Sequence, residues 1–221
     1  MVEYEKDAIV HPYITSFIRE NLAKNTGLLK ELEAYAEKES IPIVQPETAR
    51  FISALSYMRR PEKILEVGCA IGYSSILLSE GLSKNGKITT LEFNSDMVKI
   101  ARENIKKAGL SEKIEVVEAD AKDYLKTINE PESYDYIFLD GPKAHYIYMI
   151  EDCYRLLKHG GILVADNTLY KGMTAENSLV IRRKITIVKR LRKFIAALCE
   201  DSRFETSIIP LGDGETQSVK K

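Results

Sequence analysis

The chain has 221 residues, 44% of them hydrophobic, and its 32 lysines and arginines almost balance its 33 aspartates and glutamates. This length and composition provide for one substantial hydrophobic core, and the near-zero net charge neither requires nor forbids a nucleic-acid partner. No apolar run approaches the roughly 18 residues that a membrane-spanning helix needs, and three widely spaced cysteines argue against a disulfide framework or a zinc site. We therefore expect a cytoplasmic protein, not bound to a membrane, with a single domain over residues 1–221.

The first 60 residues or so are predicted to form a helical extension. Apolar positions recur at helical spacing over residues 14–22, 28–36 and 48–57, and these segments are separated by Asn25-Thr26-Gly27 and by Pro42. The extension, residues 1–60, precedes a core over residues 61–221 with a different pattern.

The core begins with short β-type runs that alternate with segments of helical length. The five β-branched runs are Lys63–Val67, Lys87–Glu92, Ile114–Glu118, Tyr134–Leu139 and residues 161–165. One intervening segment opens at Asn94 and closes at Gly109, which is typical of a capped helix. Strands that alternate with helices predict an α/β fold with a parallel, doubly wound, Rossmann-like sheet.

The end of the chain departs from this alternation. A long basic helix is predicted over residues 178–199, and two further strand-like runs, 206–211 and 217–220, flank the turn at Gly212 to Gly214. We interpret these runs as an antiparallel hairpin that completes a mostly parallel sheet of seven strands.

A glycine turn follows the first predicted strand. Glu66-Val67-Gly68-Cys69-Ala70-Ile71-Gly72 runs into a helix that begins at Tyr73, and such a turn lets a ligand approach the backbone. Glu92 ends the next strand twenty residues after Gly72, where its carboxylate would accept hydrogen bonds from the hydroxyls of a ribose. Together these features indicate an adenosine-containing cofactor.

The residue types in this turn distinguish between cofactors. A dinucleotide-binding turn has glycine at its first, third and sixth positions, where this chain has Gly68, Ala70 and Tyr73, so an NAD(P)-dependent oxidoreductase fits less well. Glu66 would repel a pyrophosphate but suits the ammonium group of S-adenosylmethionine. Asp120, after the third strand, is placed to accept a hydrogen bond from the amino group of adenine. A nucleotide-binding module without catalytic activity is a further alternative.

Oxygen-rich side chains follow two other strands. Asp140 comes directly after one strand, with Lys143 three residues later, and Asp166 and Asn167 follow the next. If these strands are parallel neighbours, their carboxyl ends lie about 5 Å apart, close enough to share one ion. Two carboxylates and one amide oxygen favour Mg²⁺, with Mn²⁺ or Ca²⁺ as alternatives. Because Asp166 and Asn167 are adjacent, both reach one ion only if the strand stops before them.

Taken together, these motifs resemble the class I, metal-dependent O-methyltransferases that use S-adenosylmethionine, a family that includes the catechol and caffeoyl-coenzyme A enzymes. The resemblance is carried by residues 64–74, Glu92, residues 139–143 and residues 157–167. It implies metal ligation by Asp140, Asp166 and Asn167, and catalysis by Lys143, as general base, and Asp140. The cofactor-binding set that it implies is Glu66, Gly68, Gly72, Tyr73, Ser74, Glu92, Asp120, Ala121 and Asp140.

The resemblance predicts the chemistry of the site. A hydroxyl chelated by the cation would have a lowered pKa, Lys143 would take its proton, and the oxygen would attack the sulfonium methyl group in line. Most of the acceleration is expected from holding the reacting atoms at near-attack distance.

The substrate is less defined by the sequence. Residues 182–193 contain seven basic residues in twelve and no acid, which suits phosphates, and the candidate contacts are Arg182, Arg183, Lys189 and Arg190. The chain is also similar to the bacterial tRNA 5-hydroxyuridine methyltransferases, which implies 5-methoxyuridine formation at the wobble position of tRNA. The alternative substrate is a small aromatic with neighbouring oxygens, such as a catechol or a caffeoyl group. Family resemblance further implies a homodimer.

Overall fold

A computed structural model describes residues 9–221, and it begins with three helices that precede the sheet. They are α1 (Pro12–Asn21), α2 (Gly27–Glu39) and α3 (Pro46–Arg59). Proline at the first helical position of α1 and of α3 suits a helix start, because its missing N–H has no partner there in any case. The predicted helical extension is confirmed for the described residues.

The sheet has seven strands in the order β3-β2-β1-β4-β5-β7-β6. The strands are β1 (Lys63–Val67), β2 (Lys87–Glu92), β3 (Ile114–Glu118), β4 (Tyr134–Leu139), β5 (Leu157–Ala165), β6 (Phe204–Ile209) and β7 (Glu215–Lys220). The first five are parallel to one another, whereas β7 runs antiparallel to both β5 and β6. The predicted fold class is therefore confirmed, including the closing hairpin.

Five helices follow the first strand of the sheet. They are α4 (Tyr73–Ser79), α5 (Ser95–Lys107), α6 (Ala121–Thr127), α7 (Ile150–Leu156) and α8 (Ile185–Glu200). Asn94 caps α5 as expected, since its side chain accepts hydrogen bonds from the backbone N–H groups of Asp96 and Met97. No helix within residues 9–221 combines the length and the apolar content needed to cross a bilayer.

The basic helix begins later than the sequence predicts. Residues 178–184 are not part of α8, which starts at Ile185, and Arg182–Lys184 instead form a short 3₁₀ turn. The preceding Val180 and Ile181 are extended, as β-branched residues favour. Three consecutive cations would also be unfavourable in the first turn of an α-helix, where the helix dipole is positive.

Helices cover both faces of the sheet, as in a doubly wound fold. On one face α3, α4 and α5 contribute Ile52, Leu77 and Ala101 to the core, and on the other α7 and α8 contribute Cys153 and Leu191. All five side chains are fully buried. Because both faces are covered, the carboxyl edge of the parallel strands is the place where a ligand can enter, between β1 and β4 where the strand order reverses.

Candidate active site

A cavity of about 590 Å³ opens at this carboxyl edge. Its wall is formed by the turn after β1, the end of β2, the start of α6, the residues after β4 and β5, and the segment between α2 and α3. A volume of this size is ordinary for a small-molecule site. The cavity therefore lies where the predicted cofactor and metal residues were expected to converge.

The glycine turn after β1 contacts the residue that follows β4. Gly68 has a φ of +90°, and a Cβ atom at this position would lie 2.7 Å from the carbonyl oxygen of Asp140. The backbone N–H of Asp140 in turn donates to the carbonyl oxygen of Val67 at 2.8 Å. Since only glycine allows this approach, the cofactor turn and a predicted metal ligand are held in direct contact.

Glu92 lies at the end of β2 and lines the cavity. Its Oε1 accepts hydrogen bonds from the N–H groups of Phe93 (3.0 Å) and Asn94 (2.9 Å), and its Oε2 accepts from the N–H of Ala70 at 3.1 Å. These bonds orient a carboxylate toward the glycine turn while leaving acceptor capacity on its oxygens. The position suits the predicted role of accepting from ribose hydroxyls.

Glu66 and Gly72 do not line the cavity. Glu66 lies within β1 rather than in the turn, it is fully buried, and its Oε2 accepts hydrogen bonds from the hydroxyls of Ser75 and Thr90. Burial raises the pKa of this carboxyl group, against the effect of the neighbouring hydroxyls. The expectation that Glu66 sits in the turn is therefore wrong, and its carboxylate lies beneath the cavity wall.

The other predicted cofactor residues lie in the cavity wall, namely Gly68, Tyr73, Ser74, Glu92, Asp120, Ala121 and Asp140. The hydroxyl of Tyr73 points to the helical extension, where it donates to Glu33 at 2.7 Å. Asp120 is the N-cap of α6, and its side chain accepts a hydrogen bond from the N–H of Lys122 at 2.9 Å. One carboxylate oxygen of Asp120 therefore has a structural role, which sequence analysis did not anticipate.

The predicted metal ligands meet at the ends of two paired strands. Leu139 and Ala165 are partners in the β4–β5 ladder, so Asp140 and Asp166 follow side by side. β5 stops at Ala165, and Asn167 has a φ of +57°, a conformation that asparagine tolerates better than most residues. The strand therefore ends where the shared-ion hypothesis requires, and Asp140, Asp166 and Asn167 all line the cavity.

The electrostatics of this cluster are dominated by carboxylates. Burial and then the charge of Asp140 raise the pKa of Asp166. Within residues 9–221 no three His, Cys, Asp or Glu side chains surround a common ion position, and the candidate donors remain the two carboxylates and the amide of Asn167 in the cavity wall. These are hard oxygen donors, which suit Mg²⁺, Mn²⁺ or Ca²⁺ better than zinc.

Lys143 lies beside this cluster, with its Nζ 2.7 Å from Oδ1 of Asp140. Burial lowers the pKa of Lys143, but the charges of Asp140, Asp166 and Asp213 outweigh it and raise the pKa overall. The segment that carries Lys143, the 3₁₀ helix Lys143–Tyr148, is anchored by Tyr146, whose hydroxyl donates to the carbonyl oxygen of Leu139 at 2.9 Å. Lys143 is thus held as an ammonium group in an ion pair at the cavity wall.

A third carboxyl group lies behind Asp166 and was missed from the sequence. Glu215 is the first residue of β7, it is fully buried, and its Oε1 accepts a hydrogen bond from Oγ1 of Thr48 at 3.0 Å. Burial and the charge of Asp166 raise the pKa of Glu215. Sequence reasoning treated the region around Glu215 only as a hairpin, and a glutamate directly after a Gly-Asp-Gly turn carries no signal of a site by itself.

Much of the rest of the cavity wall is apolar, and these apolar residues were not predicted from the sequence as site residues. They are Ile41, Ile43 and Val44 from the segment between α2 and α3, and Phe93, Met97 and Met149 from the elements that follow β2 and β4. Phe93 is 68% exposed and directly follows Glu92, a position that would flank a flat ring. The loop at 170–178 does not line the cavity.

The basic residues predicted to contact the substrate lie outside the cavity. Arg182, Arg183 and Lys189 are exposed on the surface, whereas Arg190 is half-buried and its guanidinium group stacks over the ring of Tyr148 at 5.3 Å. Arg190 Nη1 also lies 3.5 Å from the carbonyl oxygen of Ala144. Because Tyr148 and Ala144 belong to the segment that carries Lys143, the basic surface is next to the site without forming part of its wall.

Comparison with known proteins gives a consistent result. The family model described as O-methyltransferase matches residues 19–221. A caffeoyl-CoA O-methyltransferase of Nicotiana tabacum is 33% identical over 198 residues, covering 85% of this chain and 81% of that protein. An O-methyltransferase from Bacillus cereus, solved in complex with SAH, is 27% identical with a TM-score of 0.83, over 95% of this chain and 97% of that one. The SAH-bound Podospora anserina methyltransferase PaMTH1 is 26% identical with a TM-score of 0.85, over 95% and 94% of the two chains.

Proposed function

The chain belongs to the O-methyltransferase family and is an S-adenosylmethionine-dependent O-methyltransferase, and from this premise we propose that its acceptor is a hydroxyl group chelated by a divalent cation. The observation that carries the proposal is the group of hard oxygen donors, Asp140, Asp166 and Asn167, in the same cavity as Glu92 and the glycine turn. The alternatives of an NAD(P)-dependent oxidoreductase and of a non-catalytic module are not supported by the family match.

The charges of these residues fit a dication. Burial and then the charge of Asp140 raise the pKa of Asp166, and the neighbouring Lys143 compensates one negative charge, mainly that of Asp140. A divalent cation held by Asp140, Asp166 and Asn167 would relieve this repulsion, chelate two adjacent substrate oxygens and lower the pKa of the substrate hydroxyl.

Lys143 is the residue that we assign to proton transfer. Its pKa is the result of burial, which lowers it, and of carboxylate charges, which raise it. Where the charges of Asp140 and Asp166 are neutralised, the effect of burial remains, and the pKa of Lys143 moves toward that of a base at neutral pH. The Nζ atom would then accept the hydroxyl proton, and the cofactor, when bound, would supply the methyl group that the substrate oxygen takes from its sulfonium.

Substitution of Asp166 tests this proposal. We expect Asp166→Ala to abolish methyl transfer while S-adenosylhomocysteine (SAH) still binds, because Glu92 and the glycine turn are untouched. Isothermal calorimetry with SAH and a radiolabelled methyl-transfer assay separate the two effects. Full activity of the wild-type protein in excess chelator would refute the metal proposal.

For the substrate we propose 5-hydroxyuridine at the wobble position of tRNA, in which the hydroxyl at C5 neighbours the carbonyl at C4. The supporting observation is that Arg190 contacts the segment that carries Lys143, while Arg182, Arg183 and Lys189 of the same basic stretch are exposed. Such a surface suits the phosphates of an anticodon loop, whose unpaired base can be splayed into a pocket.

A caffeoyl-type substrate is the second candidate. The relatives named above include a caffeoyl-CoA O-methyltransferase, and coenzyme A also carries phosphates that a basic surface would attract. A free catechol has the same two neighbouring oxygens but no phosphate, so it reports on the metal centre alone.

Parallel assays separate these substrates. Labelled methyl transfer is measured to bulk tRNA lacking the modification, to caffeoyl-CoA and to catechol. The triple variant Arg182→Glu, Arg183→Glu, Lys189→Glu should lose activity on tRNA and keep it on catechol, whereas Lys106→Glu with Lys107→Glu, which are exposed on α5, serves as the matched control. Methylation of catechol or caffeoyl-CoA without any transfer to tRNA would refute the tRNA proposal.

A further inference from the structure

Two aromatic rings outside the cavity contact cations of the basic stretch 182–193. The guanidinium carbon of Arg190 lies 5.3 Å from the ring centroid of Tyr148. The Nζ atom of Lys184 lies 5.5 Å from the ring centroid of Tyr170. Both distances are typical of a cation–π interaction. Because the two rings belong to the segments that follow β4 and β5, the basic stretch is attached to both segments that carry predicted site residues.

Tyr148 is the ring of these two that solvent reaches more freely. It is 55% exposed although Arg190 lies over it, whereas Tyr170 is half-buried. Tyr148 ends the 3₁₀ helix that begins at Lys143, and a rise of about 2 Å per residue places it about 10 Å along this segment. The ring is therefore beyond the reach of an acceptor group at Lys143 but within reach of what is attached to that group.

The cations beside this ring are not neutralised by carboxylates of the described residues. Residues 182–193 contain seven basic residues and no acid, and within residues 9–221 none of the seven forms a salt bridge. The Nη1 atom of Arg190 lies 3.5 Å from the carbonyl oxygen of Ala144, and the guanidinium group has further N–H donors for a phosphate oxygen. An exposed ring next to uncompensated cations is the combination that binds single-stranded nucleic acid, through base stacking and phosphate contacts.

We propose that Tyr148 stacks on the unpaired nucleobase next to the acceptor nucleotide, while Arg190 contacts the adjoining phosphate. This inference rests on the tRNA substrate proposed above, and it adds the residue that recognises the loop around the acceptor. Every base has a flat π face, so stacking is tolerant of sequence, and Tyr148 selects an unpaired loop over a duplex rather than one base over another.

A second exposed pair of a cation and a ring provides a matched control. The guanidinium carbon of Arg60 lies 5.9 Å from the ring centroid of Tyr57, which is 48% exposed. Tyr57 lies near the end of α3, which leads into the amino end of β1, at the edge of the sheet opposite to the site. A loss of RNA binding that is specific to Tyr148 therefore depends on the position of the ring and not on its residue type.

The test is the binding of an anticodon stem-loop RNA with 5-hydroxyuridine at the wobble position, measured by fluorescence anisotropy in saturating SAH. We expect Tyr148→Ala to weaken binding roughly 10-fold or more, since stacking of one base on an aromatic ring contributes on this order, and Tyr148→Phe to bind like the wild type. Tyr57→Ala should also bind like the wild type. The loss in Tyr148→Ala should be the same at low and at high salt, because stacking releases no counterions.

Removal of the neighbouring base identifies the partner of the ring. Stem-loops are prepared with an abasic nucleotide on the 5′ or on the 3′ side of the acceptor. For one of them the wild type should lose about as much affinity as Tyr148→Ala loses on the intact RNA, and the variant should lose nothing further. Additive losses at both positions would overturn the contact.

The remaining outcomes separate this contact from the proposed substrate. Equal binding by Tyr148→Ala and Tyr57→Ala, or weak binding by Tyr148→Phe, would overturn the stacking role and leave the tRNA substrate in place. A Tyr148→Ala variant that loses catechol methylation as strongly as RNA methylation would also overturn it, because the ring would then act through the segment that carries Lys143. A wild-type protein that methylates catechol but neither binds nor methylates the stem-loop would refute the tRNA substrate, and the stacking role with it.

Discussion

Gly68 is the residue at which the glycine turn most directly contacts Asp140, a predicted metal ligand, and its replacement by alanine should lower the stability of the protein by an amount that the geometry allows us to bound. The added Cβ would lie 2.7 Å from the carbonyl oxygen and 2.9 Å from the carbonyl carbon of Asp140. Both are backbone atoms, so no side chain can rotate away. Either the turn after β1 or the residue after β4 must move.

Two costs add in this variant. The left-handed backbone conformation at Gly68 costs an alanine about 1–2 kcal/mol, and overpacking against a fixed backbone costs about 1–3 kcal/mol more. The free energy of unfolding should therefore fall by about 2–5 kcal/mol. For a chain of this size each kcal/mol lowers the melting temperature by roughly 2–4 °C.

Gly109 provides a matched control for the backbone cost. It also has a positive φ, +70°, but a Cβ atom there meets nothing within 4 Å. Gly109→Ala should therefore lose about 1–2 kcal/mol and keep full affinity for SAH. Chemical denaturation of both variants, with SAH titrations, separates strain at the turn from the contact with Asp140.

Gly68→Ala should in addition bind SAH more weakly, because the turn forms part of the cavity wall. A Gly68→Ala variant no less stable than Gly109→Ala, with unchanged affinity for SAH, would refute the close contact between the turn and Asp140.

Three further outcomes follow from the site. Glu92→Gln should weaken SAH binding roughly 10- to 100-fold in calorimetry, since hydrogen bonds to a charged group are lost, and an unchanged affinity would remove Glu92 from the cofactor site. Lys143→Ala should slow the single-turnover methyl-transfer rate by roughly 10²- to 10⁴-fold with SAH affinity preserved, and an unchanged rate would exclude Lys143 as the base. Burial, and then neighbouring carboxylate charge, raises the pKa of both Asp166 and Glu215. In the metal-free folded protein these two groups therefore stay protonated above roughly pH 4, where they are ionised in the unfolded chain, and folding loses stability as the pH rises. The melting temperature in chelator should accordingly fall more between pH 5 and pH 8 for the wild type than for Asp166→Asn, and equal slopes would contradict the raised pKa values.

The positions of the strands and most of the site could be predicted from the sequence because they depend on local periodicity. The bounds of β1 to β4 match those predicted from runs of β-branched residues, and β5 begins four residues earlier than residue 161. Residues at the carboxyl ends of parallel strands meet at one edge of the sheet, and for this reason the sequence predicts that Glu92, Asp140 and Asp166 share one site.

Tertiary packing decided what local patterns leave open. Whether Glu66 lines the cavity or lies beneath it depends on how α4 covers β1, and the wall at residues 41–45 depends on how the helical extension folds back. Glu215 and Asp166 are 49 residues apart in the sequence and become neighbours only through the β5–β7 pairing. Periodicity in the sequence shows which face of a helix or strand is buried, and it therefore determined the fold and the edge of the sheet that carries the site. Contacts between distant elements arise only from packing. For that reason the tertiary structure determined the electrostatic surroundings of Asp166.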